Sequence, residues 1–422
     1  MQIVFCSKYF FLNGGVEKYL YNIINSLSVR GHPAIPFSVR YAGTWPSVYR
    51  DYFLAPPGDP EQAHLGSIRF SPANILRFLD RSTYSFEARI KLSRLLKAVH
   101  GADIAYILNI YNYMSPSILH TFKRHRIPMV MQIGDYNLLC PNYSLLRDGK
   151  PCTLCVKGQY YHGFKYRCVK NRLTTSAVRV AAMYLHRLLG LQELIDAFVV
   201  PCQFMKTILI EGGFTEKKIH LLQYPVESTI ELDKAWSKKN YIVFFGRISY
   251  EKGIDTLIGA FQKLNPPIDL YIIGRSYDGE EERLKQHIEP LAQRRIHFLG
   301  FQSGQILSRW IAEALFSVVP SRWYDNAPIS IYESFLHGTP VIASRIGGIP
   351  EQVKEGVTGL LFEPDSCNDL KQKMDWMLSN KDQLVQMGIA GQDYVKRELS
   401  IKNHMDSLIN LFEMVIAQYT RS

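Results

Sequence analysis

Two consecutive α/β units, each a parallel sheet covered by helices and the pair facing each other across a cleft, are what this sequence predicts. Three observations lead there. Short apolar runs alternate with segments of helical period, which implies parallel strands with helices on both faces. That alternation restarts after a polar stretch near residue 226. Finally, 422 residues exceed one ordinary core and suit two of roughly 200 residues each.

The chain opens with Ile3-Val4-Phe5 as a buried strand and Asn13-Gly14-Gly15 as a turn. Residues 16–27 read as a helix whose Leu20, Ile23, Ile24 and Leu27 share one face. Strand-like runs follow at 103–108, 128–133 and 197–200, with a cationic helix at 86–99 that carries Arg89, Lys91, Arg94 and Lys97. Together these define a first Rossmann-like domain over 1–225. Residues 226–239 read as the linker. The second Rossmann-like domain spans 240–400, with strands expected at 241–245, 270–273, 296–299, 316–319 and 341–344 and a helix at 253–264. The closing segment, 401–422, is an amphipathic helix expected to pack back on the first domain.

Charge is unevenly placed. Residues 1–225 hold 27 Lys and Arg against 13 Asp and Glu, and the remainder holds 22 against 25. Only the first unit is therefore expected to face an anionic partner, either an acidic membrane face or a phosphorylated acceptor. Nucleic acid is not expected as a partner, since no recognised module for it is present. The helix at 86–99 reads either as a solvated face or as a membrane contact. Met1 to Cys6 run into Ser7-Lys8 without the regions of a secretion signal. Arg179, His186, Arg187, Glu193 and Asp196 interrupt the best candidate for a spanning helix. The expected location is cytoplasmic, peripheral on the inner face of the cell membrane.

The densest chemistry lies between Ser321 and Glu333, followed by Gly347-Gly348-Ile349-Pro350-Glu351. A strand ends at Ser321, a loop carries Asp325, and Pro328 suits the first turn of a helix. Free N–H groups from Ala327 to Ser330 would then point into the cleft with the positive helix end, a natural place for a diphosphate. Asn326, Ala327, Pro328 and Ile329 become binding candidates on that ground. Glu333 is placed further along the helix to accept ribose hydroxyls, and Asp325 lies nearer a sugar. A second strand-to-helix turn, Phe245-Gly246-Arg247 to Lys252-Gly253, adds two cations. Such cations stabilise a departing nucleoside diphosphate without a metal, and the chain has no Asp-x-Asp pair to hold one. No cofactor is expected for catalysis.

At these residues the sequence resembles family 4 of the glycosyltransferases, retaining enzymes of the GT-B fold. The resemblance covers Gly14-Gly15-Val16-Glu17, Arg247 and Lys252, Ile272-Ile273-Gly274, Phe298-Leu299-Gly300-Phe301, and Asp325 to Glu333. It implies that the Gly14-Gly15 loop approaches the donor phosphates, that Arg247 and Lys252 hold the diphosphate, that Glu333 binds ribose, and that Asp325 lies near the transferred sugar. Two departures stand out. Asp325 is one methylene shorter than the usual Glu, and Gly134-Asp135-Tyr136 stands where the family often carries His-Asp-Tyr. Asp135 remains a catalytic candidate beside Asp325, Arg247 and Lys252. The implied activity is hexosyl transfer from a UDP- or GDP-linked sugar to a glycan or lipid-linked acceptor in surface polysaccharide synthesis, capsule or lipopolysaccharide. A nucleotide-sugar epimerase or hydrolase, and a non-catalytic nucleotide-sugar-binding homologue, are the alternatives.

Four cysteines form the pattern Cys140-x11-Cys152-x2-Cys155-x12-Cys168 within an insert at 140–170. A Cys-x2-Cys knuckle with two flanking thiols resembles a structural zinc site. A reversible disulfide or plain thiols remain open, and His162 reads as a surface residue. Some bacterial surface-polysaccharide members of the family carry a similar insert. Its Tyr160, Tyr161, Phe164, Lys165, Tyr166, Arg167 and Lys170 suit a lipid headgroup interface or a glycan surface.

Overall fold

A computed structural model describes residues 1–56, 79–111, 113–227, 237–265 and 268–421. Positions 228–236 of the expected linker lie outside the described residues. In the first domain the strands are β1 (Ile3–Cys6), β2 (Ala34–Phe37), β3 (Ile104–Ile107), β4 (Met129–Gln132), the hairpin β5 (Leu146–Arg147) and β6 (Lys150–Pro151), β7 (Ala197–Val200) and β8 (Ile219–Leu221). Apart from the hairpin they form one parallel sheet in the order β2-β1-β3-β4-β7-β8. The second domain holds β9 (Tyr241–Phe245), β10 (Asp269–Ile273), β11 (Ile296–Gly300), β12 (Phe316–Val319), β13 (Val341–Ser344) and β14 (Gly359–Phe362). Its parallel order is β11-β10-β9-β12-β13-β14. That is the Rossmann order, with its switch point between β9 and β12, where ligands of such sheets bind.

Central strands of both sheets are buried on both faces, so they read in sequence as mostly apolar runs. Besides the hairpin, the strands that sequence reading missed, β2, β8 and β14, are all edges of the two parallel sheets. Each is at most four residues long, and β2 contains Pro36, which an edge position tolerates because one side of the strand has no partner.

The helices that matter for the site are α1 (Gly15–Val29), α2 (Phe86–Ala98), α3 (Leu173–Leu188), α4 (Gln203–Glu211), α5 (Ile254–Phe261), α6 (Ile329–Leu336) and α7 (Ile401–Arg421). α7 belongs spatially to the first domain. Met405, Leu408, Phe412 and Val415 join Ile3, Phe5, Leu20, Ile23 and Tyr106 in one core, and Arg30 pairs with Asp406 at 2.5 Å. His404 sits in this seam, its ring nitrogens 2.9 Å from the Tyr19 hydroxyl and the Gln223 carbonyl. Burial holds that imidazole down at about 4.

Candidate functional site between the two domains

The loop after β12 is built to present Asp325. Gly347 lies in the left-handed region at φ 59°, and a Cβ on Gly348 would overlap the Asn326 carbonyl, so the pair packs flush beneath the loop. Gly348 N–H donates to the Asp325 carbonyl at 2.9 Å. On its other side Arg322 is clamped by Asp255 at 2.5 Å and Asp365 at 2.9 Å. The Asp325 carboxylate is nearly inaccessible. Its Oδ2 receives Lys252 Nζ at 2.5 Å and Ser321 Oγ at 2.8 Å, and the same ammonium lies 5.6 Å over the Trp323 ring. Lys252 reaches it from the turn before α5. The two predicted cations thus part company. Arg247 is half exposed and bound to Glu251 at 2.7 Å.

One expectation about the helix start needs correction. Pro328 is the cap residue, extended at φ −60° and ψ 116°, and α6 begins at Ile329. Pro328 has no N–H, and Ala327 N–H donates to Asn326 Oδ1 at 3.1 Å. The outward donors at this end come from Ile329 and Ser330, the first two helical residues, which have no intrahelical acceptor.

The first domain meets this helix end with one of its own. α1 begins at Gly15, and a Cβ there would come 3.2 Å from Ile329 Cδ1. Two helix N-termini therefore face each other across the cleft, at the edge where strands of both sheets end. Lys18, in the first turn of α1, pairs with Glu333 Oε1 at 2.8 Å across 315 residues of sequence. Asn326 Nδ2 donates to the Gly134 carbonyl at 2.8 Å, and the Tyr136 hydroxyl donates to the Tyr324 carbonyl at 2.7 Å. Glu351 caps α4 from the opposite domain by accepting from Gln203 and Phe204 N–H at 2.6 and 2.7 Å. Asp135 accepts from Asn137 N at 2.9 Å and Nδ2 at 2.7 Å. Burial pushes its carboxyl above the ordinary range, against the pull of Asn137, Lys8 and Arg179.

The structure thus gathers Gly14, Gly15, Asn326, Ile329, Glu333, Lys252, Asp325 and Asp135 around one cleft. It also brings in Lys18 and Lys8, which sequence reading did not single out. Lys8 follows β1 by two residues. Its ammonium lies 4.9 Å over Tyr9 and 5.5 Å over Tyr113, in the fields of Glu17 and Asp135. Its place at the carboxyl end of the first strand was the available signal.

Residues 229–394 match the family of glycosyl transferases group 1. The match covers the second domain, the half that holds Asp325, Lys252 and Glu333. A Klebsiella pneumoniae protein of 41.2 kDa from the cps region is 24% identical over 204 residues, covering 46% of this chain and 54% of that protein. The chain spans about half or less of the length of the first curated relatives it matches. Among solved structures, sucrose-phosphate synthase from Thermosynechococcus elongatus aligns at TM-score 0.67 with 18% identity, covering 99% of this chain and 100% of that one. Anabaena HepE, solved in complex with UDP-glucose, aligns at 0.64 with 16% identity, covering 98% and 100%. The fold is GT-B.

Outside the group 1 match, the insert brings its four cysteines to one place. Cys140, Cys152, Cys155 and Cys168 line a single cavity of about 10 Å³. Burial raises the Cys140 thiol to about 11 and the Cys155 thiol to about 12. All seven cysteines are free thiols. Among the described residues no three His, Cys, Asp or Glu side chains are grouped tightly enough to hold a metal ion. His162, read as a surface residue, is half-buried. It also lines the same cavity, with a buried Nδ1 that has no hydrogen-bond partner among the described residues, and Tyr161 and Tyr166 flank its ring.

Proposed function

We propose that this chain transfers a hexose-type sugar from a UDP- or GDP-linked donor to a glycan or lipid-linked acceptor of cell-surface polysaccharide, with retention of anomeric configuration. The observation that carries this reading is the meeting of the two helix N-termini, Gly15 against Ile329, flanked by Lys18–Glu333 and Lys252–Asp325. Oriented N–H groups and fixed cations at one point stabilise the charge that a nucleoside diphosphate gains as it leaves. The diphosphate lies there, its ribose reaches Glu333, and the sugar extends toward Asp325 and Asp135. Donor binding displaces Lys18 from Glu333, one of several contacts that bridge the two domains. Arg247, half exposed beside Glu251, swings onto the same phosphates. This chemistry calls on side chains and backbone of the chain itself, and no metal is assigned a step. The cps-region origin of the Klebsiella relative favours a capsular role.

The four thiols hold a structural zinc ion in the same reading. They are the right ligands, in the right number, around one cavity, and they must draw closer than they now stand to complete its shell.

The first domain rests on an anionic membrane. Phe86, Ile90, Arg94 and Lys97 form one exposed stripe along α2, and Tyr161, Phe164 and Tyr166 are exposed beside Lys165 and Arg167. No helix among the described residues is long and apolar enough to cross a membrane. A mass-spectrometric screen of UDP- and GDP-sugars against membrane lipid extracts tests the function. Transfer to a lipid-linked glycan with the donor's anomeric configuration, read by NMR, is expected. An inverted linkage, or donor turnover that is indifferent to acceptor, would overturn it.

A further inference from the structure

Behind the loop that carries Asp135, the first domain contains a cavity of about 20 Å³ lined by Tyr111, Asn137, Tyr160, Arg179 and His186 among others. Arg179 comes from α3 and is only 5% exposed. Its Nη2 donates to the Asn137 carbonyl at 2.8 Å and to Asn137 Oδ1 at 3.2 Å. Nε and Nη1 are buried and have no hydrogen-bond partner among the described residues. Among the described residues no carboxylate lies within ion-pair distance of this guanidinium, whose carbon sits 5.6 Å from the centre of the Tyr111 ring. Asp135 is hydrogen-bonded to it only through Asn137, which donates to Asp135 on one side and accepts from Arg179 on the other, and otherwise acts on it through space. His186 is no counter-charge, since burial holds its ring neutral with a pKa of about 4.

A guanidinium keeps its charge at any ordinary pH, and burying it unpaired is strongly unfavourable. Water could satisfy the two orphan nitrogens but would add no negative charge, and Asp135 and the Tyr111 ring face the guanidinium without pairing with it. Size then narrows the choice. A water needs about 10–15 Å³ of such space, so the cavity takes one or two atoms and excludes a whole phosphate.

We propose that this cavity is a binding site for one small anionic group, held by Nε and Nη1 of Arg179. The group is a halide from solvent or a single anionic oxygen reaching in from an acceptor. Once bound, it pins Arg179 and, through Asn137, fixes the orientation of the Asp135 carboxylate at the floor of the cleft.

The test uses bromide with the full chain. Crystals grown in bromide should show an anomalous peak within hydrogen-bond distance of Arg179 Nε and Nη1. At constant ionic strength, replacing gluconate by bromide should raise the melting temperature by about 2–4 °C, and Arg179→Gln should abolish that rise. Adding methyl phosphate separates the two sources. Loss of the bromide peak means an acceptor-type oxygen takes the site, and its persistence means a solvent anion does. Absence of a peak at Arg179, or an equal thermal shift in wild type and Arg179→Gln, overturns the proposal. If Arg179→Gln fails to fold, the wild-type anomalous map decides alone.

Discussion

Replacing Lys252 by Met separates what the Lys252–Asp325 pair does for stability from what it does for turnover. The Asp325 side chain is 5% exposed, and the Lys252 side chain is 18% exposed with its Nζ at 2.5 Å. Removing one member of a buried pair costs about 3–5 kcal/mol when both groups are fully enclosed. Lys252 keeps some access to water, and Ser321 Oγ still donates to Asp325, so about 2–4 kcal/mol is expected in urea denaturation. Asp325→Asn should lose stability as well. The double variant should recover part of that loss, because no unpaired charge is then left buried. Turnover should behave differently. If Lys252 meets the leaving diphosphate, Lys252→Met loses about 2–4 kcal/mol of transition-state stabilisation, roughly 30- to 1,000-fold in kcat. The double variant recovers none of it. A Lys252→Met protein within about 0.5 kcal/mol of wild-type stability, with turnover intact, would refute both roles.

Further outcomes follow from other parts of the structure. Glu333→Gln should weaken affinity for the bare nucleoside diphosphate in a calorimetric titration, yet change stability by less than about 1 kcal/mol, since its partner Lys18 is half exposed. The buried ring of His404 falls from the ordinary 6.5 to about 4, so the unfolded chain binds the extra proton between those values. Stability from this group is complete above about 6.5 and is lost as pH falls toward 4. From pH 7 to pH 5 wild type should lose about 1–2 kcal/mol more than His404→Gln in urea melts; parallel curves would contradict that. Protein purified without added metal should carry one zinc per chain by mass spectrometry, and a content near zero with four titratable thiols in the insert would refute the zinc site. Arg94→Glu with Lys97→Glu should weaken co-sedimentation with anionic vesicles by about 1 kcal/mol per cation removed, less so as salt rises. Binding that ignores lipid charge and salt would count against a membrane face on α2.

Burial explains which strands were legible. A strand covered on both faces keeps a mostly apolar run, broken here only by the small, buried Ser317 and Ser344, so 197–200, 241–245, 316–319 and 341–344 could be read to the residue. β2, β8 and β14 were missed: β2 carries Pro36, which an edge tolerates, and all three are short edge strands, although the edge strand β11 was read. The placement of Asp325 and Glu333 was legible too, since one loop and the helix after it carry both, within a single stretch of sequence. Lys18 meeting Glu333, Asn326 meeting Gly134 and Tyr136 meeting Tyr324 were not, with separations of 315, 192 and 188 residues. No period or spacing encodes such pairs. They exist because two sheets, each folded by its own local pattern, present the ends of their strands to each other, and only docking decides which side chains then touch. Arg179 is the sharpest case. In sequence it merely interrupts an apolar stretch, whereas its burial beside a cavity, with two nitrogens unpaired, arises only when α3 packs behind the loop that follows β4.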